Sequence, residues 1–252
     1  MKRTVLFGSV LLAAAMNFSC TQIVDNPIAE EPVPEEPVST ARVWDFTKWS
    51  EATVANLKAD AANGLYNWSD VEKDPAAKEG NPTEPTDASR DNCFWLQADP
   101  AIEDGVVTAN GVAVAELEGL KFNSEYAGKR SLAIAVNYPE TSLGSYAGAS
   151  YLWLGGGGSK QSCPCFTIPE VKAGQTLTVV AESHKPSDAR GIQIYANEYA
   201  AENQIGEAFK PTTQASYTWT IESDCDVVVW NTSGCHIYTI TVEDAAEEQP
   251  AE

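Results

Sequence analysis

Hydrophobic and polar residues alternate along most of the chain from about residue 93 to residue 242. Val106-Val107-Thr108 and Val112-Ala113-Val114 flank an Asn110-Gly111 pair, and Asn-Gly is the strongest short signal for a β-hairpin. Similar alternation predicts strands at residues 93–97, 131–138, 150–154, 175–182, 191–196, 216–221, 226–230 and 235–242. About ten short strands separated by turns are typical of an all-β domain.

A helical period appears once, near the N-terminal side of these strands. Val54, Leu57 and Ala61 recur at helical spacing, Ser50 precedes them as an N-cap, and Gly64 follows as a stop signal. Many antiparallel strands together with one short N-terminal helix predict a jelly-roll-like, two-sheet β-sandwich.

The connections between strands are of two kinds. Residues 231–234 are a polar Asn-Thr-Ser-Gly turn between two strand candidates, and they predict a hairpin of residues 227–230 with residues 236–240. Residues 67–92 have no period, and a loop of that length inside a domain is usually functional or mobile. The glycine run 155–158 lacks the Lys-Ser/Thr that follows a phosphate-binding loop, which indicates a flexible connection.

The N-terminal residues 1–19 resemble a lipoprotein signal peptide. Lys2 and Arg3 precede an apolar run at residues 5–15, which is shorter than the roughly 20 residues needed to span a bilayer. Ser19 then precedes Cys20 as in a relaxed lipobox. We expect lipidation at Cys20 and anchoring at the outer membrane, on the cell surface. The alternative is an ordinary secretory signal with an incidental cysteine.

Composition divides the remaining chain into three parts. Residues 20–41 combine proline with acidic residues and predict a stiff, extended tether. Residues 42–243 have the length of one β-sandwich domain, and residues 244–252 form an acidic tail.

The chain carries a formal net charge of −20, and its acidic residues occur in the body as well as in both tails. Such a charge disfavours nucleic-acid binding, which depends on clustered Lys and Arg. Acidic loops are compatible with a structural calcium ion, but no loop pattern identifies its ligands.

Five cysteines remain after Cys20, and an odd number in an exported protein predicts a free thiol or an intermolecular bond. They are Cys93, Cys163, Cys165, Cys225 and Cys235. The sequence leaves their pairing open. A metal site built from Cys163, Cys165 and His184 lacks the usual paired spacing of ligands.

Several strings resemble a β-sandwich module found in surface lipoproteins of glycan-degrading Gram-negative bacteria and in front of pectate-lyase-like catalytic domains. They lie at residues 43–50, 91–95, 131–138, 150–155, 182–191 and 231–238. The resemblance implies a non-catalytic domain associated with glycan use and names no ligand. No parallel β-helix repeat follows the module here, so we expect the accessory part without the lyase active site.

Candidate binding residues fall into two groups. Tyr151 and Trp153 share one face of a predicted strand, and Trp230 adjoins the turn that begins at Asn231, so their rings are candidates for stacking on sugars. The alternative for each ring is a position in the core.

A polar loop gathers His184, Lys185, Asp188 and Arg190 at the end of a predicted strand, where binding groups are often displayed. Arg190 offers a planar fork suited to carboxylates, including uronates. The alternative is that Asp188 pairs with Arg190 or Lys185 and merely orders the turn.

The sequence therefore predicts a surface lipoprotein that captures polysaccharide for a glycan-degrading enzyme or an importer. A pectin-like polymer is one candidate for that polysaccharide. We expect no enzymatic activity: His236 is interpreted as a structural strand residue, and the string Gln193-Ile194-Tyr195 lacks the histidine of jelly-roll lyases. The alternatives are a structural or adhesive surface protein that binds a protein partner and a small glycan-active lyase.

Overall fold

A computed structural model describes residues 41–62, 92–96, 102–128, 132–138, 149–155, 164–185, 187–188 and 190–245. These residues belong to one unit, Ser39–Glu252. The predicted signal peptide, nearly all of the tether, residues 67–91 of the predicted loop, Cys163 and the end of the acidic tail lie outside the described residues.

The larger sheet is antiparallel and has seven strands. They are β1 (Arg42–Asp45), β2 (Cys93–Trp95), β7 (Leu132–Tyr138), β8 (Ala149–Leu154), β10 (Gln175–Ser183), β13 (Ala215–Thr220) and β15 (Cys235–Asp244). Their order is β13-β10-β15-β8-β7-β2, and β1 also pairs with β15. Strand β15 therefore contacts β10 on one side and both β8 and β1 on the other.

The smaller sheet is also antiparallel, with five strands. They are β6 (Lys121–Phe122), β9 (Phe166–Val171), β11 (Ile192–Ala196), β12 (Gln204–Phe209) and β14 (Cys225–Asn231). Their order is β12-β11-β14-β9-β6. Strand β12, at one edge of this sheet, contacts strand β13, at one edge of the larger sheet.

Three further strands and two helices complete the described elements. These are β3 (Ile102–Glu103), β4 (Val106–Ala109), β5 (Val112–Ala113), α1 (Glu51–Ala62) and α2 (Ser124–Gly128), with 3-10 turns at Ala115–Leu117 and Ala201–Asn203. Asn110 and Gly111 have φ angles of 51° and 71°, so β4 and β5 form the predicted hairpin with a turn that requires positive φ.

The main core lies between the two sheets. Val227 and Val229 of β14 and Ile194 of β11 are buried in the same cluster as Leu177 and Ile240 of the larger sheet. Alternation along each strand places these residues on one face. The predicted all-β, two-sheet sandwich is confirmed.

The predicted helix is confirmed as α1, with Ser50 as its cap. The Ser50 hydroxyl accepts a hydrogen bond from the Thr53 amide at 3.2 Å, and the Ser50 amide donates to the Glu116 carboxylate at 2.6 Å. Glu116 also accepts from the Thr53 hydroxyl at 2.8 Å. In a capping box, a Glu three residues into the helix accepts the hydrogen bond from the N-cap amide. Here a carboxylate from another part of the chain accepts that bond instead.

The predicted hairpin of residues 227–230 with 236–240 is wrong, because β14 and β15 belong to different sheets. The turn between them crosses from the smaller sheet to the larger one. Buried Asn231 supports this crossing: its side-chain amide donates to the carbonyl oxygens of Gly155 at 2.6 Å and Ser233 at 3.0 Å.

The four described cysteines, Cys93, Cys165, Cys225 and Cys235, are buried, and no disulfide joins any two of them. Cys225 begins β14 and Cys235 begins β15, so the crossing places them in different sheets. Burial raises the pKa of the Cys93, Cys225 and Cys235 thiols, which keeps them protonated at neutral pH.

Candidate functional site

The predicted polar loop is held at one end of the sandwich by the crossing turn. The His184 amide donates to the Gly234 carbonyl at 3.0 Å, and the Gly191 amide donates to the Thr232 hydroxyl at 3.0 Å. At the base of the loop, the Ser183 hydroxyl bonds the carbonyls of Lys185 and Asp188, both at 2.8 Å. The loop backbone is therefore fixed by its own side chains and by its neighbour.

Within this loop, the Arg190 guanidinium donates to the Asp188 carboxylate at 2.9 Å. The structure thus shows the ion pair that orders the turn, which the sequence left as the alternative to a ligand role. An exposed pair of this kind contributes little to stability, about 0–1 kcal/mol. Lys185 is exposed beside it.

His184 contacts a second histidine beneath the loop. Its Nδ1 lies 3.1 Å from Nε2 of His236, which is fully buried on β15. Burial, and then the charge of Arg190, lower the pKa of His184 to about 4. Burial and the neighbouring His184 lower the pKa of His236 well below its usual value. Both rings are therefore neutral at pH 7, and one donates to the other.

Tyr151 and Trp153 lie on one face of β8, as predicted, but they do not form an open platform. Tyr151 is fully buried and Trp153 is only 7% exposed. Tyr151 stacks on His236 with ring centroids 4.0 Å apart, and Trp153 lies 4.8 Å from Trp95. Because these rings pack together on the outer face of the larger sheet, they form a second apolar cluster, which includes Tyr238.

A buried carboxyl group completes this cluster. Glu182 on β10 lies opposite His236 across the β10–β15 pair and accepts a hydrogen bond from the Tyr238 hydroxyl at 3.0 Å. The sequence did not predict this association of two histidines, a carboxyl group and four aromatic rings, because its members come from strands far apart in the chain. Alternation predicts which residues of one strand share a face, but it does not predict which strands are neighbours.

Trp230, the third predicted stacking residue, lies on the outer face of the smaller sheet. Its ring stacks on Tyr199 with centroids 5.3 Å apart and an interplanar angle of 22°. Tyr195 meets Tyr199 edge-on at 4.9 Å. Tyr199 is 42% exposed, and it is the one exposed aromatic ring among the residues whose side chains the structure describes. We call Tyr195, Tyr199 and Trp230 the aromatic platform.

Tyr199 was missed by sequence reasoning because it follows strand β11 in an irregular turn, where hydrophobic periodicity carries no information. Asn231, in contrast, was predicted as a binding residue and is buried. Its amide is occupied by the crossing described above, so its role here is structural.

An open cleft of about 490 Å³ lies where edge strands β12 and β13 approach each other. We call it the edge cleft. Its lining combines carboxylates, amides and hydroxyls with two aromatic rings: Glu202, Asn203, Gln204, Tyr217, Thr218, Trp219, Thr220, Glu222 and Ser223. No sequence pattern pointed to it, because strand β12 was not predicted.

In the part of the chain that the structure describes, no three His, Cys, Asp or Glu side chains are grouped so that they could hold a metal ion. None of the helices described is long and apolar enough to cross a membrane. The structural calcium ion stays a prediction.

No family model and no curated protein matches this chain. Several solved structures are similar to it at low identity. A cleaved adhesin domain of Lys-gingipain from Porphyromonas gingivalis is 12% identical, with a TM-score of 0.29, and the match covers 46% of this chain and 84% of that domain. The xylan-binding CBM22-1 domain of Xyn10C from Paenibacillus barcinonensis is 9% identical, with a TM-score of 0.32, 51% of this chain and 88% of that one being covered.

A third similar structure is a carbohydrate-binding module of lichenase 5A from Cellvibrio mixtus, solved in complex with cellotriose. It is 13% identical to this chain, with a TM-score of 0.25, and the match covers 46% of this chain and 88% of that one. Identities and scores this low support no statement about what the present chain binds, so its function is argued from its own residues.

Proposed function

We propose that this protein binds a polysaccharide without cleaving it, by stacking a sugar ring on Tyr199 of the aromatic platform. The observation that carries the proposal is the exposed Tyr199 ring, which is held by Trp230 on one side and by the edge of Tyr195. An exposed ring fixed by its neighbours offers an apolar surface to the C–H face of a sugar and loses little conformational entropy on binding.

Polar groups around the platform are suited to sugar hydroxyls. Gln193 pairs with Trp230 across the β11–β14 ladder, and Asn197 and Glu198 are exposed in the turn that carries Tyr199. The Asn197 side chain accepts from the Asp226 amide at 3.1 Å, and the Asn197 amide donates to the Asp226 carbonyl at 2.7 Å. This turn is therefore a fixed support for the ring.

The proposal extends to the cellular setting. A lipid on Cys20 at the outer-membrane surface would hold captured polysaccharide beside an enzyme or importer that uses it. The cations of a pectin-binding site would come from Lys185 and Arg190 of the polar loop, although Arg190 is paired with Asp188. Pectin is therefore one of the polymers to be tested, and the proposal does not depend on its binding.

Affinity electrophoresis of the purified protein tests the proposal, in gels containing pectins, arabinans, xylans or glucans, with and without calcium. We expect one polymer class to retard the protein. Tyr199→Ala should weaken retention about tenfold, since stacked rings contribute about 0.5–1.5 kcal/mol beyond their buried area and the loss of that apolar area adds to it. Tyr199→Phe should bind nearly as well, because it keeps the ring.

The control is Val112→Ala, which removes another exposed hydrophobic side chain, on hairpin strand β5. Its retention should equal that of the parent. Retention by no polymer would contradict the proposal and favour the structural or adhesive alternative. Release of oligosaccharides from a retained polymer would instead favour the lyase.

A further inference from the structure

The edge cleft and the aromatic platform adjoin one short segment of chain. The side chain of Tyr199 belongs to the aromatic platform. The 3-10 turn Ala201–Asn203, which begins two residues later, supplies Glu202 and Asn203 to the cleft lining. Three residues can span at most about 11 Å, so the Cα atoms of Tyr199 and Glu202 lie within that distance. The segment that carries the platform ring therefore continues into the lining of the cleft.

The wall of the edge cleft is rigid on its aromatic side. Trp219 lies 4.7 Å from Tyr217 in an edge-to-face arrangement, and its indole N–H donates to the Glu207 carbonyl at 3.1 Å. Gly206 has a φ of +59°, and a Cβ atom there would lie 3.0 Å from Cδ1 of Trp219. The backbone thus passes close to the ring and fixes its position.

The polar side of the cleft is acidic. Glu202 and Glu222 contribute carboxylates, and Gln204, Thr220 and Ser223 contribute uncharged polar groups. Among the described residues that line the cleft there is no Lys, Arg or His. All five of these polar side chains are exposed, so a ligand can reach them.

We propose that the edge cleft is a second sugar subsite, which accepts uncharged sugars through their hydroxyl groups and rejects uronates. The inference rests on the proposed function, since it assigns the kind of glycan. A volume of about 490 Å³ falls within the roughly 300–1,000 Å³ of small-molecule sites. Hydroxyl donors to carboxylates form strong, charge-assisted hydrogen bonds, whereas a uronate would place like charges together.

Titration calorimetry of the purified protein tests the inference with three probes: xylohexaose, cellohexaose and hexagalacturonate. The variant Glu202→Gln/Glu222→Gln should bind the preferred uncharged hexasaccharide about tenfold more weakly, which corresponds to about 1.4 kcal/mol. The same variant should bind hexagalacturonate more tightly than the parent does, because the repulsion is removed. The double variant should therefore lower the affinity for the uncharged hexasaccharide and raise the affinity for hexagalacturonate.

The matched control is Glu103→Gln/Glu118→Gln, which removes two exposed negative charges that do not line the cleft. It should leave the preference for uncharged sugar unchanged. Equal effects of the two double variants would overturn the inference, since a general charge effect would then explain both. So would a parent protein that prefers hexagalacturonate.

The outcomes separate this inference from the function on which it rests. If Tyr199→Ala abolishes binding while Glu202→Gln/Glu222→Gln changes neither affinity, the platform stands and the cleft subsite is overturned. If the parent binds none of the three probes and no polymer, both proposals fail.

Discussion

A buried histidine, His236, and a half-buried one, His184, contribute to how this domain responds to acid. His236 lies among Tyr151, Trp153 and His184, with Glu182 opposite it on the neighbouring strand. The structure favours the neutral form of both imidazoles, and their pKa values are lowered, mainly because burial removes the solvation of a charge. In the unfolded chain both rings titrate near their usual pKa of about 6.5.

This arrangement predicts a loss of stability in mild acid. Below about pH 6.5 the unfolded chain takes up protons on the histidines, whereas folded His184 takes one up only near pH 4. The free energy of unfolding therefore falls as the pH falls through this window, by up to about 1.4 kcal/mol per pH unit for each histidine. Urea unfolding between pH 7 and pH 4.5 measures it.

The variant His184→Gln isolates this contribution from that of the carboxylates. It keeps a polar side chain beside His236 and cannot titrate, so its stability should depend less on pH than that of the parent. Identical pH dependence of the two proteins would show that His184 does not contribute.

At the residue scale, the sequence could predict which side chains share a face but not which of them solvent reaches. Tyr151 and Trp153 do lie on one side of β8, yet their burial depends on rings from β2 and β15 and on the neighbouring His184. Trp230 was predicted as a stacking residue and does meet an exposed ring, but Tyr199, which supplies that ring, lies in a turn without a period.

At the scale of strands, alternation predicted most of the sandwich and failed where a strand is irregular. Strand β9 contains Pro169, which disfavours a strand assignment, and Glu170 beside it has a φ of 57° at a register shift against β14. Strand β12, Gln-Ile-Gly-Glu-Ala-Phe, does not alternate regularly and contains Gly206, also at a register shift. Both bulges are tertiary features that a single strand does not reveal.

The wrongly predicted hairpin has a different cause. Residues 226–230 and 235–242 alternate correctly, and both are strands. A short polar turn is compatible either with pairing of its two strands or with a crossing between sheets. Buried Asn231 decides for the crossing through its bonds to Gly155 and Ser233, which pattern alone does not contain.

Gly191, which directly precedes β11, lies close to the backbone at the end of β12, and this leads to a prediction at this scale. A Cβ atom on Gly191 would lie 1.7 Å from the Phe209 carbonyl oxygen and 2.7 Å from its carbon. Backbone cannot move aside as a flexible side chain can, so Gly191→Ala should destabilise the protein by about 3 kcal/mol or more. Thermal unfolding measures it.

Gly111→Ala is the steric comparison for this prediction, because a Cβ atom there meets nothing within 4 Å. Its positive φ adds only the strain of an alanine in the left-handed region. We therefore expect Gly111→Ala to cost about 1–2 kcal/mol, and a larger cost than that of Gly191→Ala would contradict the steric argument.

For the whole molecule, the strongest expectation from the sequence concerns residues that the structure does not describe. Cys20→Ser removes the only acceptor for a lipid that the signal-like segment offers. Stable attachment requires at least two acyl chains. In fractionated Gram-negative cells we expect the parent in the membrane pellet and the variant in the soluble fraction.

Ser19→Ala serves as the comparison, since it keeps a small residue before Cys20. It should stay in the pellet, and the mass of the parent should exceed that of its polypeptide by the acyl chains. A parent found in the soluble fraction would contradict anchoring and surface display together.

The pairing of β1 with β15 has a consequence for how the protein acquires its structure. Arg42 pairs with Val242 of β15, and β15 also pairs with β8 and β10. Strands β1, β8 and β10 therefore cannot complete their pairing until β15 has been synthesised. Contacts so distant in sequence close slowly. If the protein is exported, as its N-terminal sequence predicts, we expect the chain to stay unfolded and competent for translocation until strand β15 emerges, and the larger sheet to close only afterwards.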